Sequence, residues 1–342
     1  MKKIWLLFIF VFGFGLCHLH SQAFLDLIHS PNKNTTLQDI QVLAEAYFTN
    51  RDKGRGSGYK QYKRWEYKME REVNADGKLQ NFSKLTWDAI EELNTTNPPA
   101  DRSVAAWTPL GPTNYTNGTN GYNGGLGRVN VIAFHPSNAN IIYLGMPAGG
   151  VWKTTDGGTT WSPMADILAS IGVSGIAVDH TTPNSIYILT GDGDGANTYS
   201  IGVMKSTDGG ATWGTTGLTW SVSSLNRGYK LLMHPTNSNI MFAATTAGIL
   251  KTTDGWVTWS MVQAGSFRDI EFKPGTPSTV YATTINSFYR STNTGTTWAV
   301  TGTGLPTGED RSVLGVSPAN SNYVYYLAGP AGSSSYTGMY RS

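Results

Sequence analysis

Two periodicities of apolar residues divide this chain. Between Thr35 and about residue 95 apolar positions recur at helical spacing. Leu37, Ile40, Ala44 and Tyr47 share one face behind Thr35 or Thr36 as a cap. Tyr62, Trp65, Met69 and Val73 make a second stripe, and Leu85, Ala89, Ile90 and Leu93 a third. The run Arg51-Asp52-Lys53-Gly54-Arg55-Gly56-Ser57-Gly58 breaks the first helix. After Val131 the period shortens to two, in runs of four to six residues punctuated by Gly, Asn, Asp and Pro, which predicts short strands and tight turns.

The strand region repeats itself. Lys153-Thr-Thr-Asp156-Gly-Gly-Thr-Thr-Trp161 returns as Lys205-Ser-Thr-Asp208-Gly-Gly-Ala-Thr-Trp213 and as Lys251-Thr-Thr-Asp254-Gly-Trp-Val-Thr-Trp259. It comes back once more as Arg290-Ser-Thr-Asn293-Thr-Gly-Thr-Thr-Trp298. A second phrase, as in Val131-Ile-Ala-Phe-His135-Pro136 followed by Ile141-Ile-Tyr143, precedes each copy and reappears near Leu314 to Tyr325. From Asp156 the steps to the next turns are 52, 46 and 39 residues. A period of about 40–50 residues with several short strands in each is a propeller blade. The chemistry of the turn agrees: Asp accepts backbone N–H bonds at the start of a tight hairpin, and Gly takes the positive φ that closes it. Each box Trp is expected to bury its ring between neighbouring sheets, contributing about 2–3 kcal/mol if fully buried. The fold class is therefore all-β, a propeller of four-stranded blades behind a small α-helical annex.

Charge marks the boundary between the two regions. Residues 22–103 carry 24 charges, whereas residues 104–342 carry 22, together with 34 of the 40 glycines. Asn97-Pro98-Pro99-Ala100-Asp101 supplies a linker. Met1-Lys2-Lys3 followed by the apolar Ile4–Leu16 is too short to span a bilayer but suits a signal peptide, 1–21, cut after Ser21. Cys17 invites a lipoprotein reading, but Leu16 before it is too large for that processing. The expected domains are thus leader 1–21, annex and linker 22–103, and blades 104–342. Without Lys2 and Lys3 the basic and acidic residues balance at 23 each, which gives nucleic acid and anionic membranes no handle. Lys60, Lys63, Arg64 and Lys68 are interleaved with Glu66, Glu70 and Glu72, the pattern of a solvated helix face. Cys17 is the only cysteine, so the mature chain has no disulfide framework, zinc cluster or thiol nucleophile.

The turn phrase resembles the Asp-box, or bacterial-neuraminidase repeat, Ser/Thr-x-Asp-x-Gly-x-Thr-Trp. Copies lie at 154–161, 206–213, 252–259 and 291–298; the third has Trp256 for Gly, and the fourth has Asn293 for Asp. Asp-boxes occur in sialidases, xyloglucan-cleaving glycoside hydrolases and sortilin-like propellers. In those families the box lies on the blade periphery, so Asp156, Trp161, Asp208, Trp213, Asp254, Trp259, Asn293 and Trp298 are assigned structural roles. The annex, with Tyr59-Lys-Gln-Tyr-Lys-Arg-Trp-Glu66, and the Trp107-Thr-Pro-Leu-Gly-Pro112 start resemble exported sortilin-like propellers of Gram-negative bacteria. Such proteins are commonly cargo of the type IX secretion system. Trp107–Leu110 resembles an outer strand without a box before it, and Met339–Ser342 the start of a fifth box. A truncated propeller is therefore expected, one whose isolated 22–342 segment exposes an open edge and aggregates or unfolds non-cooperatively.

Three site readings follow. A sialidase needs an arginine cluster, and the Arg-Ile-Pro signature of that family does not occur. Xyloglucanases place a catalytic Asp after a His-Pro strand, in Tyr-x-x-x-Asp-x-Gly-Gly. The matching stretch is Tyr143-Leu-Gly-Met-Pro147-Ala-Gly-Gly150, with proline where the acid belongs. Gly191-Asp192-Gly-Asp194-Gly-Ala-Asn197 lengthens the second blade. Asp192, Asp194 and Asn197 resemble the start of a calcium loop but lack its distant Glu, and a plain Gly-Asp turn cluster is the other reading. His135, His180 and His234 occupy equivalent strand ends and read as repeat scaffolding. No cofactor is expected apart from that calcium. The expected function is a secreted or cell-surface propeller that binds polysaccharide or a surface protein without catalysis. The alternatives are a fragment of a xyloglucanase-like glycoside hydrolase, and an adhesin or structural surface component.

Overall fold

The structure is a computed structural model that describes residues 23–29, 35–54, 57–80, 82–96, 127–166, 168, 172–195, 198–302, 304–306, 309–330 and 337–342. The expected leader, the 97–101 linker, Trp107–Leu110 and Asn197 lie outside them. Two compact units form, Met1–Phe82 with Gly329–Thr337, and Ser83–Ala328 with Gly338–Ser342. Among the described residues no helix is long and apolar enough to cross a membrane.

The first unit holds helices α1 (Ala23–His29), α2 (Leu37–Phe48) and α3 (Tyr59–Met69). Thr36 caps α2 in a reciprocal box with Asp39, whose carboxylate accepts the Thr36 amide in return. Phe24, Ile40, Ala44, Phe48 and Tyr62 bury the seam. Within the basic stretch of α3, Glu66 accepts the Tyr62 hydroxyl at 2.8 Å and pairs with Lys63. That pairing lies inside one helix, and Lys68 pairs with Glu72 just beyond its end at 3.9 Å.

In the second unit helix α4 (Phe82–Thr96) accompanies the sheets, with Trp87 against the first inter-sheet core while Leu85 stays exposed. The unit is a β-propeller of five blades, four of them four-stranded antiparallel meanders. Blade one is β1 (Val131–Phe134), β2 (Ile142–Gly145), β3 (Val151–Thr154) and β4 (Ser162–Pro163). Blade two is β5 (Val173–Val178), β6 (Ile186–Thr190), β7 (Gly202–Ser206) and β8 (Gly214–Thr219). Blade three is β9 (Gly228–Met233), β10 (Met241–Thr245), β11 (Gly248–Thr252) and β12 (Ser260–Ala264). Blade four is β13 (Asp269–Phe272), β14 (Val280–Thr283), β15 (Phe288–Ser291) and β16 (Ala299–Thr301). Blade five shows three strands among the described residues, β17 (Glu309–Val316), β18 (Val324–Pro330) and β19 (Gly338–Arg341). The first strands of successive blades lie side by side, β1 by β5, β5 by β9, β9 by β13 and β13 by β17.

Alternation along each strand sends neighbours to opposite faces, so every middle blade feeds two cores. In β6, Ile186 and Ile188 enter the core shared with blade one, whereas Tyr187 and Leu189 enter the core shared with blade three. In β10, Met241 and Ala243 face blade two, and Phe242 and Ala244 face blade four. The register repeats: Tyr143 pairs with Lys153, Tyr187 with Lys205, Phe242 with Lys251, Tyr281 with Arg290 and Tyr325 with Arg341.

Each turn phrase is closed by the same bonds. Thr154 Oγ1 donates to Asp156 Oδ1 at 2.7 Å, the Gly158 amide donates to Thr154 Oγ1, and Thr160 donates its amide and hydroxyl to the Asp156 carboxylate. Asp208 and Asp254 repeat this. Asn293 inverts one bond, its Nδ2 donating to Thr297 Oγ1 at 2.8 Å. Trp256 holds the glycine position at φ 69° and sends its amide to Thr252 Oγ1, like the Gly158 amide in the first copy. One expectation is corrected here. The box tryptophans are not fully buried core residues: Trp161, Trp213 and Trp298 are half-buried and Trp259 is 38% exposed. They do lie between neighbouring sheets, Trp213 and Trp298 packing against the rims of inter-blade cores, and Trp213 Nε1 donates to Met164 O and Trp259 Nε1 to Gly217 O of the preceding blade. Among the described residues the fully buried indole is Trp256, in the core between blades two and three.

Candidate functional site

Charged and aromatic side chains gather where the first strands begin. Arg128 precedes β1, Arg227 precedes β9, Arg268 precedes β13, and Arg311 lies in β17. The β6–β7 loop, 191–201, meets this row with Asp192, Asp194 and Tyr199. Gly193 makes that approach possible, because a Cβ there would stand 2.4 Å from the Gly228 carbonyl and the Tyr229 ring.

Asp192 is fully buried and fully engaged. Arg128 reaches its Oδ2 at 2.5 Å, Asn130 Nδ2 donates to Oδ1 at 3.2 Å, and the Asp194 and Gly195 amides add two further bonds. Asp194 is more exposed and lies between Arg128, at 3.7 Å, and Arg311. The cluster thus joins blades one, two and five. Thr198 of the same loop donates to the Pro147 carbonyl at 3.0 Å, which ties the β2–β3 loop to it.

Two arginine–tyrosine pairs continue the row. Arg227 lies 5.5 Å from the Tyr199 ring centroid, and Arg268 lies 4.6 Å from that of Tyr229, whose hydroxyl also accepts from it. Below them Lys230 of β9 contacts Asp269 at 2.8 Å and Glu271 at 2.5 Å, both on β13. Asp269 Oδ2 accepts the Leu314 amide, so one carboxylate connects blades three, four and five. Burial alone would push the Lys230 ammonium down, but Asp269 and Glu271 outweigh it and hold it above its usual value. Burial lifts the Glu271 carboxyl above the usual range, with Lys230 opposing. These groups join neighbouring blades and set guanidinium, tyrosine and carboxylate groups side by side.

Of the residues proposed from sequence, Asp192 and Asp194 come together and face the guanidinium groups of Arg128 and Arg311. Among the described residues no three His, Cys, Asp or Glu side chains converge on one point. The histidines sit in equivalent turns, His135 Nδ1 bonding the Ser137 amide and His234 Nδ1 the Thr236 amide. Lys230, Asp269, Glu271, Tyr199, Tyr229 and Asn130 were not anticipated. Their signal was an arginine just ahead of an alternating run, which recurs at Arg128, Arg227 and Arg268. The box turns lie elsewhere, beside a cleft of about 250 Å³ lined by Lys251, Thr258 and Trp259.

No family model matches the chain. Among curated proteins it is 29% identical over 214 residues to the xyloglucanase Xgh74A of Acetivibrio thermocellus, covering 51% of this chain and 25% of that protein. It is 29% identical over 153 residues to the xyloglucanase of Hypocrea jecorina, covering 41% and 18%. A Paenibacillus xyloglucanase matches at 27% over 224 residues, covering 54% and 22%. The matched region spans a quarter or less of each relative. Among solved structures, an ancestral GH74 enzyme superimposes with a TM-score of 0.55 at 20% identity, over 70% of this chain and 31% of that one. The likeness in structure is one of fold.

Proposed function

We propose that this chain is a xyloglucanase-like Asp-box propeller, exported after cleavage near Ser21, which holds a xyloglucan-type polysaccharide along the arginine–tyrosine row. The observation that carries this reading is the similarity to xyloglucanases over about half of the chain. The row supports it, because planar tyrosine faces and guanidinium donors suit sugar rings and hydroxyls. The role is holding rather than cutting: Pro147 has no titratable group, and the Asp192 carboxylate is locked by Arg128 and Asn130. The residues beside a bound glycan are then Tyr199, Arg227, Tyr229 and Arg268. Affinity electrophoresis in xyloglucan gels, paired with a reducing-end assay, tests this. Retardation by xyloglucan with no release of reducing ends is the expected result. Unretarded migration contradicts the holding role, and reducing-end release abolished by Asp192→Asn would move the 191–195 loop into an active site.

A further inference from the structure

Three inner seams of the propeller end at a box turn on the outer rim, and the third of them is open. Between blades one and two, Met164 lies over the box glycine Gly210, its Cε 3.5 Å from where a Cβ would stand, and its carbonyl holds the Trp213 indole. Between blades two and three, Trp256 takes the equivalent box position, and its carbonyl accepts the Gly217 amide at 2.8 Å. Between blades three and four that position is glycine again, Gly295. Here the cleft of about 250 Å³ lies between the third box and Thr296 of the fourth. Pockets for drug-sized ligands begin at roughly 300 Å³, so this one suits a single small ring.

The walls of the cleft combine a cation, an aromatic face and hydroxyls. Lys251 on β11 and Ser260 on β12 are directly opposite in the register, which puts both side chains on one side of the sheet. Lys251 Nζ donates to the Thr294 carbonyl at 2.6 Å and to Thr296 Oγ1 at 3.3 Å. An ammonium has three N–H donors, so one remains. Both acceptors are neutral, and among the described residues no carboxylate forms an ion pair with Lys251. Asp254, the acid of the same hairpin, is engaged by Thr252 and Thr258. Burial draws the Lys251 ammonium below its usual value, with no carboxylate opposing. Trp259 is 38% exposed and commits its Nε1 to Gly217, which leaves the indole face as an apolar platform. Thr253 and Ser260 add exposed hydroxyls to the lining.

We propose that this cleft binds one uronic acid residue of an acidic polysaccharide. The sugar ring lies on the Trp259 face, its carboxylate takes the remaining N–H of Lys251, and its hydroxyls pair with Thr253 and Ser260. A carboxylate supplies the opposite charge that the two neutral acceptors of Lys251 do not, and charge-assisted hydrogen bonds are about twice as strong as neutral ones. The indole and the hydroxyls favour a sugar over an acidic peptide, because an aspartate or glutamate side chain would use the cation alone. The site is formed by the third and fourth boxes and is independent of the arginine–tyrosine row.

Titration calorimetry of the purified chain with trigalacturonate tests it, with cellotriose as the neutral sugar, triglutamate as the acidic peptide and thermal melting as a folding control. Trigalacturonate binds saturably, and the other two bind more weakly by roughly tenfold or more. Lys251→Gln, which removes the charge and keeps a donor, and Trp259→Ala, which removes the platform, each weaken trigalacturonate by roughly tenfold or more. Tyr199→Ala combined with Arg227→Ala, which disables the row, leaves trigalacturonate binding as it was. Heat indistinguishable from dilution overturns the proposal, as does binding indifferent to both cleft substitutions. Equal affinity for triglutamate or cellotriose overturns the ligand class, and loss of trigalacturonate binding in the row variant overturns the location. Should Lys251→Gln or Trp259→Ala melt early, Ser260→Val and Thr253→Val, both at exposed positions, carry the same test.

Discussion

Burial separates two ion pairs that look alike on paper. Asp192 is fully buried against Arg128, whereas Asp194 and Arg311 are both substantially exposed. Removing Arg128 strands a buried carboxylate, and Arg128→Ala is expected to cost about 3 kcal/mol in denaturant unfolding. Arg311→Ala should cost under about 1 kcal/mol, since solvent already screens its partner. The box aspartates make a second residue-scale test. The hydroxyl and amide of Thr160 hold the Asp156 carboxyl well below the usual range, and those of Thr212 pull Asp208 down to about 2. Thr258 lowers Asp254 in the same way. A carboxyl whose folded value is depressed stabilises the fold above its unfolded value, near pH 4, and loses that stabilisation as pH falls toward about 2. Denaturation midpoints should therefore drop across that window. An Asp208→Asn variant should show a shallower drop, because Asn does not titrate, just as Asn293 already closes the fourth box without a charge.

At the scale of the element, the turn phrase was legible because its chemistry is local. A hydroxyl, a carboxylate and a threonine at fixed spacing within eight residues determine one hairpin whatever surrounds them. The strand alternation likewise announced the blades, and Thr36 announced α2. The ion cluster was not legible. Arg128 and Asp192 are 64 positions apart, Asp194 and Arg311 are 117 apart, and only the order of blades brings their loops together. The burial of the box tryptophans was overestimated for a related reason, because a box fixes where the indole starts but not how far the neighbouring blade covers it. The consequence is measurable. Trp256→Ala should cost about 3–5 kcal/mol, since it empties a fully enclosed site between blades two and three. Trp161→Ala should cost distinctly less, about 1–2 kcal/mol, because solvent already reaches its ring. Equal losses in thermal or chemical unfolding would contradict this assignment. Gly217 belongs to the same seam: its amide donates to the Trp256 carbonyl at 2.8 Å, and a Cβ there would meet the Val257 carbonyl oxygen at 2.1 Å.

At the scale of the propeller, the box turns and the charged row occupy different places. Box turns and stacked cores hold the blades, while the beginnings of the first strands collect arginines, tyrosines and a buried acid–base group from all five sheets. The resemblance to xyloglucanases covers about half the chain and a quarter of the longer relatives, so the account turns on whether this surface recognises the same class of polymer. Titration calorimetry with xyloglucan oligosaccharides measures that directly. The predicted result is saturable binding that Tyr199→Ala combined with Arg227→Ala reduces by roughly tenfold or more, without change in melting temperature. Heat indistinguishable from dilution, or binding untouched by the double substitution, would contradict it.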